Sequence, residues 1–256
     1  MKLSDSSATG NAGQFHTTCW TAVLLSAQSQ APAAKDAREE LCRLYWYPLY
    51  AFIRKRGYSP DDARDLTQGF FLSLFYRRIL RSATPLKGKF RSYLLVCLKN
   101  YLSAEFHRDN AIKRGRGVEF VPLDLDSAED RYIKEPADHL TPDRVFDARW
   151  ATTLLSRALE RHKAEYRAQG KGTIFDTLKP FLDPSGSQES PAYEVVAEKL
   201  KITMAGAKTL IHRFRKRYAE IVRETVGETV SDPAEIDNEI RALCDALVAA
   251  EGQLGT

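Results

Sequence analysis

The chain has 256 residues, of which 43% are hydrophobic and 28% charged, with a formal net charge of +4 at pH 7. This balance is typical of a folded globular protein long enough for two modest domains, and it excludes a low-complexity disordered chain. No apolar run approaches the roughly 20 residues that span a bilayer, and the polar start lacks a signal-peptide core, so we expect a cytoplasmic protein without membrane contact. The four cysteines include no CxxC pair, so neither disulfides, metal nor cofactor is expected.

Charge is distributed unevenly along the chain. Residues 87–116 and 199–217 are rich in Lys and Arg, whereas the stretch 119–138 is acidic. Basic segments on both sides of an acidic connector predict two contacts with one polyanion.

The N-terminal part shows helical periodicity after a polar leader. Residues 1–14 are predicted to be disordered, a short helix around Trp20 follows, and a longer helix is predicted over 33–56. Ser59-Pro60-Asp61-Asp62 predicts the next helix start, because a hydroxyl cap, a first-turn proline and carboxylates suit the positive end of the helix dipole. Outside its buried stripe, this helix carries Asp61, Asp65, Gln68 and Leu72 on one face, which is either solvent surface or a docking stripe for a partner helix.

An amphipathic helix that leads into a basic arm is predicted over 90–116. Its apolar stripe contains Phe90, Tyr93, Leu94, Cys97, Leu98, Tyr101, Leu102 and Phe106. The opposite face is predicted to carry Arg91, Ser92, Lys99, Asn100, Ser103 and His107, with Arg108, Lys113, Arg114 and Arg116 beyond it. This combination suits a phosphate-rich partner, although an ordinary solvated surface explains this stretch equally well.

The second half of the chain is also predicted to be helical. Residues 117–142 contain prolines and acidic residues, and we expect a partly extended linker there. Thr141-Pro142-Asp143 starts a helix that runs to about Tyr166, and a shorter one follows over 174–182. Strand-type alternation is not found, so the predicted fold is all-α, with two helical domains.

A helix-turn-helix is predicted over 193–216. Lys201 occupies the turn position where glycine is common, at a cost on the order of 1 kcal/mol. Thr203 can cap the second helix, and the outward-facing side chains on it are Lys208, Thr209, His212, Arg213, Arg215 and Lys216. This cationic face favours a reader of the DNA major groove over an inert helical hairpin.

These segments, in this order, resemble bacterial RNA polymerase sigma factors of the extracytoplasmic-function (ECF) type, over roughly residues 15–228. The segment 62–71 (DARDLTQGFF) is similar to the polymerase-binding helix of region 2, the segment 90–100 to its promoter-melting helix, and 193–216 to the helix-turn-helix of region 4. The implied domains are a leader (1–14), region 2 (15–116), an acidic linker (117–142), region 4 (143–230) and a C-terminal helical extension (231–256). The extension carries Ile236, Ile240, Leu243 and Leu247 on one stripe and lies past the family's usual end, where it packs on region 4 or regulates it.

The resemblance also implies a role for individual residues. Asp61, Asp65, Gln68 and Leu72 would bind the core polymerase. Arg91, Lys99, Asn100, Ser103, Arg108, Lys113 and Arg114 would bind the minus-ten element, although Tyr93 stands where Trp is frequent and Val96 where a basic residue is. Thr203, Lys208, Thr209, His212, Arg213, Arg215 and Lys216 would bind the minus-thirty-five element. The implied partners are core RNA polymerase and promoter DNA, with an anti-sigma factor or a kinase as candidate regulators.

Two other classes of protein stay open on the sequence. A stand-alone helix-turn-helix regulator would bind duplex DNA without polymerase, usually as a dimer. An enzyme is disfavoured, because no Ser/His/Asp or Cys/His grouping is legible and Gly170-Lys171-Gly172-Thr173 lacks the upstream glycine and strand of a phosphate loop. The predicted function is therefore that of a sigma factor, a subunit that directs promoter recognition and supplies no chemistry.

Overall fold

The computed structural model describes residues 32–76, 89–109, 126–134, 139–182 and 191–251. Within these ranges all regular elements are helical, in agreement with the predicted all-α class. The helices are α1 (Pro32–Lys55), α2 (Pro60–Tyr76), α3 (Phe90–Asp109), α4 (Asp126–Lys134), α5 (Pro142–Ala168), α6 (Gly172–Leu178), α7 (Tyr193–Leu200), α8 (Met204–Gly227) and α9 (Ile236–Glu251), with 3₁₀ turns at Lys179–Leu182 and Pro233–Glu235. No helix in these ranges is both long and apolar enough to cross a membrane.

Several predictions fall on residues outside the described ranges. They concern the leader (1–14), the short helix around Trp20, the basic arm with Lys113 and Arg114, and the loop 183–190.

The helix boundaries follow from local chemistry, as predicted. Gly57 has a φ of 92° just after α1, a conformation that glycine adopts without steric cost. The Ser59 hydroxyl accepts a hydrogen bond from the Asp62 amide at 3.1 Å and so caps α2. The Thr141 hydroxyl does the same for α5, accepting from the Arg144 amide at 3.4 Å. The predicted starts of α2 and α5 are therefore confirmed.

The acidic linker contains a helix that the sequence analysis missed. Residues 126–134 form α4, a helix that the prediction of a partly extended linker did not include. Contacts with α1 explain the helix: Arg54 donates to Glu129 from Nε at 3.0 Å and from Nη2 at 2.8 Å, and the Tyr50 hydroxyl donates to the same carboxylate. Short helices depend on such tertiary contacts more than on intrinsic propensity.

Helix α5 is the centre of the molecule. It packs along α1, α8 and α9. Its first half contributes Phe146, Trp150 and Leu154 to a core shared with α1, α2 and α3, and its second half borders a smaller core around Phe175 and Phe214. The two cores are thus connected through one continuous helix.

The predicted C-terminal helix is present as α9. Leu243 is buried in the main core, and Ile236, Ile240 and Leu247 pack partly buried against it. The predicted apolar stripe is therefore confirmed, and it faces α5 and α8.

Candidate polymerase and nucleic-acid interfaces

The face of α2 assigned to polymerase binding points outward. Asp61 and Asp65 are exposed, while Gln68 and Leu72 are partly exposed beside them. The Asp61 carboxylate accepts a hydrogen bond from Arg64 at 3.3 Å. The opposite side of α2 buries Ala63, Thr67, Phe70, Phe71 and Leu74. The stripe is therefore presented by a helix that is firmly seated in the core.

Helix α2 approaches α3 closely at Gly69. A Cβ atom at this position would collide with the Tyr101 hydroxyl and lie 3.5 Å from Cζ of the same ring. The Tyr101 ring also packs on Phe70, with ring centroids 5.7 Å apart. This contact fixes the spacing between the predicted polymerase-binding helix and the predicted melting helix.

The exposed side of α3 carries Asn100 and Ser103, two residues predicted to contact the minus-ten element. They share this side with Ser92 and Val96, all four of which are exposed. The Ser103 hydroxyl donates to the Lys99 carbonyl at 3.1 Å, and the Asn100 side chain faces solvent. Asn100 and Ser103 are therefore accessible to a ligand, while Arg108 lies in the last turn of α3.

The apolar end of α3 differs from the prediction. Phe106, expected in the buried stripe, is 64% exposed. It lines an open cleft of about 530 Å³ together with Arg56, Tyr58, Leu102 and Ser103. The last turn of α3 extends along the α1–α2 turn, so the Phe106 ring faces the cleft. The prediction that Phe106 is buried was therefore wrong.

Arg91 lies on the buried side of α3, although the pattern assigned it to the polar face. Its side chain is 10% exposed and stacks over the Trp150 ring, with Cζ 4.8 Å from the ring centroid. Nε donates to Glu239 Oε1 at 2.5 Å, and Nη1 donates to Asp147. A charged residue that pairs with two carboxylates can be buried, whereas an unpaired one cannot. The periodicity of apolar residues does not register such pairing, so it assigned Arg91 to the exposed face.

Glu239 of α9 is the most enclosed member of this cluster. Its side chain is 1% exposed, and its Oε2 also forms a salt bridge with Lys89 Nζ at 2.6 Å. Burial disfavours the charged guanidinium, but the hydrogen bonds with Glu239 and Asp147 outweigh it and raise the pKa of Arg91. Burial also raises the pKa of Asp147, despite the neighbouring guanidinium. The first turn of α3 is thus tied to α5 and α9 by paired charges.

Lys99 is paired in a similar way. Its ammonium donates to Asp143 at 2.5 Å and lies 5.9 Å from the Phe52 ring centroid. Asp143 and Asp147 are one turn apart on α5, so that helix presents carboxylates to both Lys99 and Arg91. The four-residue spacing of Asp143 and Asp147 in the sequence indicates that both carboxylates lie on one face of a helix. It does not indicate which cations they pair with.

Helices α7 and α8 are joined by a tight turn at Lys201–Thr203, where the sequence predicted one. Lys201 adopts the left-handed conformation, with φ 54° and ψ 46°, and the Ile202 amide donates back to the Ala197 carbonyl at 3.0 Å. The Thr203 hydroxyl accepts from the Gly206 amide at 3.1 Å and caps α8. Val196, Ala207 and Ile211 fill the space between the two helices.

One side of α8 presents polar and cationic side chains to solvent. The exposed residues are Lys208, Thr209, His212, Arg213, Arg215 and Lys216, with Thr203 exposed at the cap. Arg215 is held in place, because its Nε donates to the Phe181 carbonyl at 2.9 Å. The structure therefore brings together all the side chains assigned to minus-thirty-five recognition.

A shallow groove beside this face involves a residue that the sequence analysis did not single out. Tyr193, at the start of α7, stacks on Phe181 with ring centroids 6.0 Å apart and lies 5.8 Å from Lys208 Nζ. Together with His212 and Arg215 it lines a groove of about 410 Å³. From the sequence alone, an aromatic residue such as Tyr193 at the first position of a short helix is equally consistent with packing against the protein and with binding a ligand.

Comparison with known proteins finds a distant sequence relationship. No family model matches the chain, and no solved structure does. The chain is 22% identical over 197 residues to the ECF RNA polymerase sigma factor SigE of Mycolicibacterium smegmatis (strain ATCC 700084 / mc(2)155), covering 77% of this chain and 66% of that protein. Sigma factors are non-enzymatic DNA-recognition subunits, and the similarity points to that family. The chain thus spans just under two thirds of the length of this relative.

Proposed function

We propose that the protein is a sigma factor of the ECF type, which binds bacterial core RNA polymerase and directs promoter recognition and melting. The observation that carries the proposal is the capped helix α8, which follows the tight turn after α7 and exposes Lys208, Thr209, His212, Arg213 and Lys216 on one side. An inert hairpin gains nothing from collecting cations on one face, whereas a phosphate-rich partner does.

In this proposal α2 is the polymerase-binding element. Asp65 and Gln68 are presented outward one turn apart, and Leu72 extends the stripe with an apolar side chain. A partner helix can be bound by such a mixed stripe through a few polar contacts around an apolar centre. The rigid seating of α2 against α3 at Gly69 keeps the stripe in a fixed position relative to the DNA-binding side chains.

In this proposal α3 receives the melted minus-ten strand. Asn100 and Ser103 are exposed and can hydrogen-bond to the edges of an unstacked base. Arg91 and Lys99 bind the DNA phosphates after they release their carboxylate partners. Those partners are Glu239 and Asp147 for Arg91, and Asp143 for Lys99.

In this proposal α8 lies in the major groove of the minus-thirty-five element. Arg213 and Lys216 bind phosphates or guanine edges, and Thr209 and His212 are placed to contact base edges. Arg215 instead positions α8 against the preceding 3₁₀ turn through its bond to Phe181.

The test is a fluorescence-anisotropy titration of labelled protein with bacterial core RNA polymerase. The wild type should bind saturably, and Asp65→Ala combined with Gln68→Ala should lose binding while its circular dichroism stays unchanged. The matched control is Asp245→Ala with Asn238→Ala, which removes the same chemical groups from exposed positions on α9. The control should bind like the wild type.

Two results would contradict the proposal. The double variant of α2 could bind core polymerase as tightly as the wild type, or the folded wild type could fail to bind it. In the latter case, tight binding of duplex DNA without polymerase would favour a stand-alone helix-turn-helix regulator.

A further inference from the structure

The C-terminal helix α9 reaches the predicted melting helix through one buried side chain. Glu239 lies 148 residues after Arg91 in sequence, yet its carboxylate accepts from Arg91 Nε at 2.5 Å and from Lys89 Nζ at 2.6 Å. Lys89 immediately precedes α3, and Arg91 lies in its first turn. They are therefore occupied by a carboxylate from the far end of the chain.

A carboxylate bound to arginine resembles a phosphate bound to arginine. Both place oxygens opposite the guanidinium nitrogens, and Glu239 uses two oxygens toward Arg91, at 2.5 Å to Nε and 3.4 Å to Nη2. Asp147 and Asp143 of α5 add further carboxylates beside Arg91 and Lys99. The side chains that would bind a DNA backbone are thus paired with protein groups of the same charge as that backbone.

The attachment of α9 is suited to reversible release. The helix is connected to α8 by residues 228–235, so it can separate without breaking α5 or the helix-turn-helix. Its stripe places Leu243 in the core, but Ile236, Ile240 and Leu247 are only partly buried. Locally attached helices of this kind can open at a lower free-energy cost than the whole fold.

We propose that α9 is an autoinhibitory latch, in which Glu239 occupies Arg91 and Lys89 and so competes with single-stranded DNA for the start of α3. The inference rests on the proposed DNA-binding role of α3. Binding of DNA to the start of α3 and docking of α9 there then exclude each other. Docked α9 lowers the apparent affinity for DNA, and bound DNA favours the undocked state of α9. Any partner that holds α9 away from α3 acts as an activator.

The test uses the full-length protein and a fluorescein-labelled single-stranded oligonucleotide, without polymerase. Glu239→Gln keeps the shape of the side chain and removes its charge. It should raise oligonucleotide affinity by about tenfold, because the apparent dissociation constant scales inversely with the competent fraction. The dependence of log affinity on log salt should also steepen, by about 0.7 for each cation released.

The matched control is Asp237→Asn, which removes one negative charge from the same helix at an exposed position where Asp237 pairs with Arg223. It should leave the affinity within about twofold of the wild type, since an exposed pair contributes little. An equal gain in both variants would mean that net charge explains the effect, and the latch would be wrong. Unchanged affinity in Glu239→Gln would also overturn it.

Hydrogen exchange provides a second readout that does not need a variant. In the wild type, oligonucleotide binding should reduce the amide protection of α9 while that of α5 stays the same. DNA binding with α9 still fully protected would overturn the latch and leave the DNA-binding role intact. If neither the oligonucleotide nor core polymerase binds the folded wild type, the proposed function fails, and the latch fails with it.

Discussion

Glu239 and Arg91 form a buried ion pair that joins the last helix of the described chain to the start of α3, with 2.5 Å between Oε1 and Nε. Arg91 is at the same time bound to Asp147 of α5, so one guanidinium connects three helices. This arrangement gives the C-terminal extension a specific docking site rather than a general apolar contact.

Replacing Arg91 should therefore loosen α9 before it unfolds the protein. In Arg91→Met, Glu239 keeps only Lys89 as a described cationic partner, and the loss of a charged hydrogen bond is worth about 1.5–3 kcal/mol. We expect hydrogen exchange in α9 to accelerate roughly ten- to hundredfold. Arg223→Met, which breaks the exposed pair with Asp237, is the matched control and should change α9 exchange little.

Gly69 should show a coupling with Tyr101. Alanine in the middle of α2 is intrinsically favoured over glycine by about 1 kcal/mol, but its Cβ would collide with the Tyr101 hydroxyl. We expect Gly69→Ala to destabilise the wild type by roughly 1–3 kcal/mol and to be less harmful, or stabilising, in a Tyr101→Phe background. Urea unfolding of the four proteins of this double-mutant cycle measures the coupling, and strict additivity would argue against the close α2–α3 contact.

Lys201 should carry a measurable backbone strain. Its left-handed conformation costs a non-glycine residue on the order of 1 kcal/mol, so Lys201→Gly should raise the thermal midpoint. Lys199→Gly, two residues earlier inside α7, should instead lower stability by about 1 kcal/mol. The same change at neighbouring positions thus has opposite signs, and a loss of stability in both would indicate a different turn.

His162 should make folding stability depend on pH. It is fully buried among Tyr166, Phe175, Phe214 and Tyr218, and burial lowers its pKa below the ordinary 6.5. Below that pH the unfolded chain binds a proton that the folded chain does not. Stability should therefore fall as the pH drops from about 6.5 towards the folded-state pKa, by up to about 1.4 kcal/mol per unit.

The variant His162→Phe should flatten this part of the stability profile, because it removes the titrating group and fits among aromatic rings. His212→Gln removes an imidazole from an exposed position on α8 and serves as the control. Urea unfolding at pH 7.5 and 5.5 measures the difference. A wild-type slope that persists in His162→Phe would assign the pH dependence to other groups.

Sequence reasoning was most successful where local chemistry determines the outcome. The caps at Ser59, Thr141 and Thr203 and the turn at Lys201 depend on residues a few positions apart, and the corresponding helices begin where those residues predict. The apolar stripe of α9 was predicted on the same basis.

Long-range pairing was beyond the same reasoning. The burial of Arg91 depends on Glu239 and Asp147, and α4 depends on Arg54, so neither could be deduced from periodicity alone. The exposure of Phe106 likewise depends on where α3 extends past its neighbours. The division into two domains and the ligands of the individual site residues stay predictions.

The most direct test of the sigma-factor role is transcription in vitro from a genomic DNA library of the source organism, with purified bacterial core RNA polymerase. Adding the protein should produce transcripts with defined 5′ ends that core polymerase alone does not make, and the Asp65→Ala, Gln68→Ala variant should not produce them. Identical transcripts with and without the folded wild-type protein would contradict the account.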